Sequence, residues 1–317
     1  MVPRADFTSY YGRPVLKAPV WTDDIAYYFF LGGLSAGSSL LAAGADLTNR
    51  PALRRGTRVA SLASIAAGAV FLIKDLGRPA RFHHMLRVAK PTSPMSVGTW
   101  VLTAYGPAVG AAAAAELLPR SWRQRRLGRL LDGLARPAGL SAAALAPAVA
   151  SYTAVLLSQT AVPAWSEAHE ALPFVFTGSA MASAGGLAMI VAPVSEAGPA
   201  RRLAAFGALV ELAASRRLET GLGLVGEVFG TGRAHEELSR ASTLTAGGLL
   251  GALLLGRRSR TAAVVSGAAL LAGGWYERLG LLHAGVASTQ DPKYVVVPQR
   301  ERLDARGRAG AADDHLA

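Results

Sequence analysis

The stretch that decides the fold is residues 138–192, which read AGLSAAALAPAVASYTAVLLSQTAVPAWSEAHEALPFVFTGSAMASAGGLAMIVA. It contains two apolar runs, Ala138–Leu157 and Leu172–Ala192, joined by a polar segment. Each run has about 20 residues, and a helix that rises ~1.5 Å per residue needs about that length to cross the hydrocarbon of a bilayer. The stretch therefore predicts two membrane-spanning helices joined at one face of a membrane.

The composition of the whole chain is typical of a polytopic membrane protein. Of its 317 residues, 51% are hydrophobic and 17% are charged, a balance that is unusual in a soluble domain. The net charge of +12 could suggest a nucleic-acid partner, but the arginines cluster in short segments between apolar runs. We therefore predict an all-α integral membrane protein that contacts membrane lipids and binds no nucleic acid.

Apolar runs along the chain predict eight transmembrane helices, and the even number suggests two four-helix bundles. The approximate spans are 24–45, 56–74, 95–118, 138–158, 168–192, 201–227, 238–256 and 261–283. Residues 1–23 hold three prolines, at positions 3, 14 and 19, and are expected to form an extended arm rather than a cleaved leader. The membrane domain then covers 24–284, and 285–317 form a soluble tail, first extended and then disordered.

Two short patterns predict local features of this bundle. Ser93-Pro94 supplies an N-cap followed by proline at the first helical position, a favoured helix start. Gly33-x-x-x-Gly37 in the first span and Gly106-x-x-x-Gly110 in the third have the spacing that lets helices approach closely in a membrane.

The arginines indicate the orientation. We call the side that holds both termini side A and the opposite side B. Basic short loops usually stay in the cytoplasm, and the short loops of side B are the ones dense in arginine. We therefore place side B in the cytoplasm, and both termini and the partner-docking face outside the inner (cytoplasmic) membrane. The side-B arginines are Arg50, Arg54, Arg55, Arg58, those between Arg120 and Arg136, Arg201, Arg202, Arg257, Arg258 and Arg260.

Cysteine and histidine positions argue against a metal cofactor in this chain. There is no cysteine, so the chain supplies no thiolate for an iron–sulfur cluster. The histidines before the tail all lie at or near side A, and none has a helical i, i+4 partner. A transmembrane haem needs axial ligands within the spans, and helical zinc sites use that spacing. We therefore expect no haem and no other metal.

Polar side chains gather on side A in two places. After the fourth span, Tyr152 and Gln159 are seven residues apart and share one helix face, and Trp165 and His169 follow. This group predicts a polar pocket near the membrane surface. The loop after the second span is basic and suits either an acidic partner or lipid head groups, with Asp75 paired to Arg78. Its charged residues are Lys74, Asp75, Arg78, Arg81, Arg87 and Lys90.

At several span ends the chain resembles the NrfD-like membrane subunits of polysulfide reductase and related molybdopterin enzymes. The resemblance lies in Phe30–Gly37, Asp75–Phe82, Ser93–Trp100, Tyr152–Ser158 with Pro163–Trp165, and Asp291–Tyr294. It implies a quinone-binding anchor without haem, which uses menaquinone or ubiquinone. Such an anchor exchanges electrons with a four-cluster ferredoxin-like iron–sulfur subunit, and through it with a molybdopterin catalytic subunit.

The resemblance also implies roles for individual residues. The tyrosine of the fourth-span motif contacts quinone, a role that falls on Tyr152. Polar contacts on the first span fall near Asp24, Tyr27 and Tyr28, where this sequence has aspartate and tyrosine in place of the family's asparagine and histidine.

Further residues complete the predicted site. His169 and Asp75 join Tyr152 as the catalytic group, and His83 and His84 are candidates for the proton relay together with His169. Gln159 and Trp165 are further quinone contacts. The alternative for Tyr27, Tyr28 and Trp165 is an aromatic belt at the membrane surface.

The predicted sixth span carries four charges, Glu211, Arg216, Arg217 and Glu219. Charges inside a membrane cost several kcal/mol unless they are paired or hydrated, so we interpret them as a proton path or a buried ion pair. A third possibility is a broken helix, as in many transporters, and a transporter or channel is our alternative function. Gly221–Gly226 matches a dinucleotide fingerprint but follows no strand, which argues against nucleotide binding.

The arginine distribution gives a prediction about topology. Reporter fusions after Arg129 should behave as cytoplasmic, and fusions after Pro298 should behave as external, because short basic loops resist translocation. Paired cytoplasmic and external reporters at both points make the measurement. The reverse pattern would place side A, with its polar pocket, in the cytoplasm.

Overall fold

The computed structural model describes residues 14–313, and it shows helices and no strand in that range. The helices are α1 Asp23–Leu47, α2 Pro51–Asp75, α3 Pro94–Leu117, α4 Arg120–Arg123, α5 Arg126–Ser158, α6 Pro163–Ser166, α7 Leu172–Val191, α8 Gly198–Gly221, α9 Gly232–Leu254, α10 Arg260–Gln290 and α11 Lys293–Asp313. Two 3₁₀ segments, Pro79–Arg87 and Gly223–Gly230, follow α2 and α8.

Local sequence explains where main helices begin. The hydroxyl of Thr22 accepts a hydrogen bond from the N–H of Asp24 at 3.3 Å, which caps α1. Ser93 accepts from the N–H of Ser96 at 3.5 Å, immediately before Pro94 starts α3. The predicted N-cap and proline start of the third span are therefore confirmed.

The eight longest helices between Asp23 and Gln290 form two four-helix bundles in chain order. In the first bundle, α1 packs on α2 and α5, and α3 packs on α5 and α2. In the second bundle, α7 packs on α8 and α10, and α9 packs on α10 and α8. Helix α1 also packs on α7 and α10, and α5 packs on α7, so these contacts join the bundles.

Small residues let α1 approach α7 closely. A Cβ on Gly37 would lie 2.5 Å from the Cβ of Ala184 and 2.8 Å from the carbonyl oxygen of Ala180. The predicted contact at Gly33-x-x-x-Gly37 is therefore confirmed. The contact predicted at Gly106-x-x-x-Gly110 is wrong, because nothing among the described residues lies within 4 Å of a Cβ at either glycine.

Polar contacts at the helix ends show that successive helices run in opposite directions. At one end, Asp24 of α1 pairs with Lys74 of α2 at 3.0 Å. At the other end, the carboxylate of Glu196, between α7 and α8, accepts from the N–H of Leu53 in α2 at 2.9 Å. These two ends correspond to side A and side B.

The structure changes several predicted boundaries. Helix α5 starts at Arg126, ahead of the predicted span, and continues through Pro137 and Pro147. Helix α8 is continuous through its charged residues and ends at Gly221, and a 3₁₀ segment follows within the predicted sixth span. The possibility that the helix breaks at these charges is therefore not realised. Four helices, α1, α2, α5 and α7, are long and apolar enough to cross a membrane by length and composition, and the count of eight spans stays a prediction.

The part of the tail that the structure describes is helical rather than extended. Helix α11 covers 293–313, and an ion pair of 2.9 Å between Arg302 and Glu167 holds it to side A. The extended conformation predicted there is therefore wrong. Most of the predicted arm, residues 1–13, lies outside the described residues.

The α1–α7 contact gives a prediction about stability. Gly37→Ala should lower the free energy of unfolding by about 1–3 kcal/mol, because overpacking outweighs the better helix propensity of alanine. Gly44→Ala is the matched control, since its Cβ would meet no atom within 4 Å, and it should be neutral or slightly stabilising. Thermal unfolding in detergent compares the two, and equal effects would contradict the close contact.

Candidate functional site

Tyr152 lies at the side-A end of α5, where its ring covers the backbone of Gly98 in α3. A Cβ on Gly98 would fall 2.3 Å from Cε2 of that ring, so only glycine leaves room for it. The Tyr152 side chain is half-buried, and its hydroxyl makes no hydrogen bond to another described residue. The phenol is thus held by packing and is free to donate to a ligand.

Aromatic rings of α1, α2 and α10 pack on the same buried cluster as Tyr152. Tyr27 stacks on Trp275 with ring centroids 4.4 Å apart and meets Phe71 edge-on at 5.3 Å. Tyr28, in contrast, is only 3% exposed and belongs to the core. The structure therefore places Tyr27 in an aromatic group that packs on the same cluster as Tyr152, and it buries Tyr28 in the core.

Two predicted carboxylates tie α1 to α2 at side A. Asp75 accepts from the N–H and the hydroxyl of Thr22 at 3.2 and 3.0 Å, and Asp24 pairs with Lys74. The predicted pair of Asp75 with Arg78 is not made, because Thr22 takes the carboxylate and Arg78 is exposed in the turn that follows.

A charged network that the sequence analysis missed lies beside this tie. His283 of α10 contacts Glu237 of α9 through Nδ1 at 2.6 Å and Asp23 of α1 through Nε2 at 3.0 Å. Arg233 reaches both carboxylates, at 3.0 Å from Glu237 and 3.4 Å from Asp23. An imidazole donates to two carboxylates only when both its nitrogens carry a proton, so the network can hold or release a proton at side A.

The remaining predicted quinone contacts lie elsewhere. Trp165 is fully buried against Trp21, and its indole N–H already donates to the carbonyl of Leu281 at 2.8 Å. This indole is a core anchor with no donor left for a ligand. The other three, Gln159, His83 and His84, are all exposed.

His169 lines a separate side-A cavity of about 750 Å³. The cavity lies between the loop before α7, the end of α8 and helix α11, and its charged lining residues are Glu167, Glu170, Arg217, Glu301 and Arg302. The imidazole is exposed, and Nδ1 faces the carbonyl of Ser166 at 3.0 Å. Tyr152 and His169 therefore do not share one pocket.

The charges of α8 separate into a buried and an exposed group. Glu211 is 2% exposed and accepts from the Thr245 hydroxyl at 3.1 Å. Arg216, Arg217 and Glu219 are exposed, because they lie in the last turns of the helix, and Arg217 pairs with Glu170. The ion pair predicted between Glu211 and these arginines is therefore not made.

The buried ion pair of the second bundle lies in α10. Glu277 and Arg278 are 2% and 3% exposed, and their charged groups are 2.5 Å apart. Arg278 also donates to the carbonyl of Phe176 at 2.9 Å and lies over its ring, with Cζ 3.8 Å from the centroid.

A comparison with protein families decides the relationship of this chain. A family model described as polysulphide reductase, NrfD, matches residues 15–289. The chain belongs to the NrfD family. The resemblance seen in the sequence is therefore confirmed, and so is the prediction of an all-α, multi-pass membrane protein.

Two curated relatives of this NrfD-family protein are components of reductases. The C component of the selenate reductase of Mesobacillus selenatarsenatis is 35% identical over 88 residues, which are 27% of this protein and 20% of the relative. The C component of the polysulfide reductase of Wolinella succinogenes is 30% identical over 151 residues, 44% of this protein and 48% of the relative. The matches thus span about one fifth and one half of these relatives.

The second bundle of this NrfD-family protein gives a prediction about assembly. Arg278→Ala should sharply reduce the amount of folded protein, because breaking a buried ion pair costs about 3–5 kcal/mol. Glu211→Gln should accumulate normally, since the amide keeps the shape and leaves the Glu277–Arg278 pair intact. Size-exclusion profiles of the detergent-extracted proteins measure both, and a strong loss with Glu211→Gln would show that this carboxylate is itself a structural partner of Arg278.

Proposed function

We propose that this protein is the quinone-reactive membrane subunit of a multi-subunit oxidoreductase. It exchanges electrons between menaquinone or ubiquinone and an iron–sulfur partner that leads to a molybdopterin catalytic subunit. The observation that carries the proposal is the Tyr152 phenol, which packs against Gly98 and is bonded to no described residue. An aromatic group packs on the same buried cluster. Membership of the NrfD family supports it.

The residues around Tyr152 fit the chemistry of a quinone. A quinone presents two carbonyl oxygens and a flat ring, and it carries two electrons and two protons between the states that it interconverts. Tyr152 supplies a hydrogen-bond donor for one oxygen. Tyr27 and Phe71, both half-buried, would supply aromatic surface for the ring, and the apolar surface of the bundle would accept the tail.

The charged network at side A is placed to handle the protons. Asp23 precedes Tyr27 by four residues, so the two lie on one face of α1 about one helical turn apart. Asp23 is joined to His283, whose side chain is 16% exposed. We therefore propose His283 and Asp23 as the proton relay, in the role that the sequence had suggested for His83, His84 and His169.

The basic 3₁₀ segment Pro79–Arg87 is our proposed docking surface for the iron–sulfur subunit. Arg81, His83, His84 and Arg87 are all exposed there, and a cluster of cations suits an acidic partner. Phe82 and Leu86 are exposed in the same segment, at 47% and 39%, which also suits the membrane interface.

The transporter alternative loses its main support. It depended on a sixth span broken near its middle, and α8 is an unbroken helix from Gly198 to Gly221.

The proposed function gives a test at Tyr152. Tyr152→Phe keeps the ring and removes one donor, which typically costs about 0.5–1.5 kcal/mol and more where charge develops on the acceptor. Quinone-linked turnover of the assembled complex should fall at least several-fold, while dye-linked activity of the catalytic partner stays intact. Both activities are measured on membranes that contain equal amounts of the subunit.

Two further variants sharpen this test. Gly98→Ala should also lower quinone-linked turnover, because the methyl group displaces the ring although the hydroxyl is kept. Tyr276→Phe is the matched control, since this half-buried tyrosine of α10 lies outside the aromatic group and contacts Arg240. If Tyr152→Phe behaves like Tyr276→Phe, Tyr152 is a packing residue and the proposed site is wrong.

A further inference from the structure

A line of polar side chains enters the first bundle from side B. At the side-B end of this line, two carboxylates, Asp46 of α1 and Glu116 of α3, bind two arginines of α2. Arg54 lies 3.1 Å from Asp46 and 2.8 Å from Glu116. Arg58 lies 3.3 Å from Asp46 and 3.0 Å from Glu116. These four residues line a cavity of about 160 Å³, together with Asp132 and Arg136 of α5. Charged groups from four helices thus surround one opening.

Arg58 carries this line into the bundle. Its side chain is 6% exposed, and its Nε makes no hydrogen bond to another described residue. The guanidinium also borders a second, deeper cavity of about 10 Å³, lined by Ser39 and Ser61 among others. That volume is about what one water molecule needs, and a water there would have polar partners. Gly139 of α5 keeps the space open, because a Cβ there would lie 3.2 Å from Arg58.

Four buried hydroxyls continue the line toward the middle of the membrane. Ser39 lies 2.8 Å from both Ser61 and Tyr105, and Ser35 lies 2.9 Å from both of them. All four residues are buried, with at most 4% exposure. Each hydroxyl both donates and accepts, so the set can pass a proton by reorienting its hydrogen bonds.

The polar line ends before it reaches the level of Tyr152 and Gly98, on the side-B side of the candidate site. Tyr105 and Gly98 are seven residues apart on α3, so they share one face at a separation of about 10 Å along the axis. The side chains around Tyr105 are mainly apolar: Ile65 and Val149 are buried in its cluster and Leu102 packs against it, while Ser64 is a buried polar neighbour of Ile65 on α2. The polar line therefore runs from side B only as far as the Tyr105 hydroxyl.

We propose that this line is a hydrated half-channel that admits water and protons from side B to Tyr105. Serines that only pack helices need neither a cavity beside them nor a charged opening that leads to them from the membrane surface, whereas both occur here among the described residues. Resting on the proposed function, the half-channel would connect quinone turnover at Tyr152 with protons from side B. The mainly apolar side chains around Tyr105 then act as the gate between the two.

The absence of cysteine from the sequence allows a direct test of access. Ser39→Cys and Ser61→Cys place thiols on the proposed path, and Ser38→Cys is the matched control, since Ser38 is equally buried on α1 but does not line the cavity. Each purified single-cysteine protein in sealed vesicles is treated with Ag⁺ from one side. The thiols that remain are then counted by alkylation in denaturant and mass spectrometry.

The half-channel predicts fast reaction from side B. Ag⁺ should block Ser61→Cys and Ser39→Cys at least about tenfold faster than Ser38→Cys, because access to Ser38 requires local opening of the bundle. Should one of the first two variants fail to accumulate, the other supplies the same readout from a different helix. Rates no higher than that of Ser38→Cys would overturn the proposed half-channel, whether or not the complex shows quinone-linked turnover.

The proton role is measured separately in vesicles that hold the complete complex. During quinone-linked turnover, a pH indicator on side B should report proton exchange with this side. Tyr105→Phe, which removes one hydroxyl from the line, should reduce this exchange several-fold relative to electron flow. Turnover without any proton exchange at side B would overturn the role in protons. Lack of quinone-linked turnover in the unmodified complex would instead refute the proposed function, and the Ag⁺ result would still decide on the half-channel.

Discussion

The close contact between α1 and α7 is the constraint on which the rest of the structure depends. Without a hydrophobic driving force between helices in lipid, packing at small residues largely holds a bundle together. At Gly37 the backbones meet at a distance that excludes even a methyl group. This contact makes α1 the shared wall of both bundles, so side chains on its other faces turn into the first bundle and toward α10.

The position of α1 explains why so much of the chemistry depends on one helix. Asp23, at its side-A end, joins α9 and α10 through His283 and Arg233. Tyr27, one turn further in, reaches Trp275 of α10 and Phe71 of α2. Ser35, Ser39 and Asp46 then face α2 and α3 along the polar line to side B. A polar group in the hydrocarbon needs an internal partner, and α1 has neighbours on every side to supply one.

Sequence reasoning was most successful where the signal is local. Apolar runs predict the long helices, and Ser93-Pro94 predicts the start of α3, because capping and length depend on adjacent residues. Tyr152 and Tyr27 were proposed through a motif and its place at a span end, and their roles stay predictions. The early start of α5 was missed because its first turns are rich in arginine, and the helical tail was missed because charged composition is a weak guide to conformation.

The errors at the site have a different physical origin. His283 lies 260 positions from Asp23 and 46 from Glu237 in the chain, and no local pattern encodes such pairing. A usable signal did exist for the buried pair, since Glu277 and Arg278 lie inside the predicted eighth span and charges in a span are costly. The same rule, applied to Glu211, led to the nearest arginines in sequence, whereas the hydroxyl of Thr245, 34 positions away, is its hydrogen-bond donor.

The two bundles keep their buried charges in different ways, and this difference bears on how protons could move. In the second bundle, the Glu277–Arg278 pair lies within the packed interior, with 2% and 3% exposure, and its partners are a backbone carbonyl and an aromatic ring. In the first bundle, Arg58 and Glu116 border an open cavity that reaches side B. Charges next to water exchange protons readily, whereas a dry pair resists any change of charge because an unpaired ion there is costly. The half-channel proposed in the first bundle depends on this difference, because its charged groups border an opening to side B.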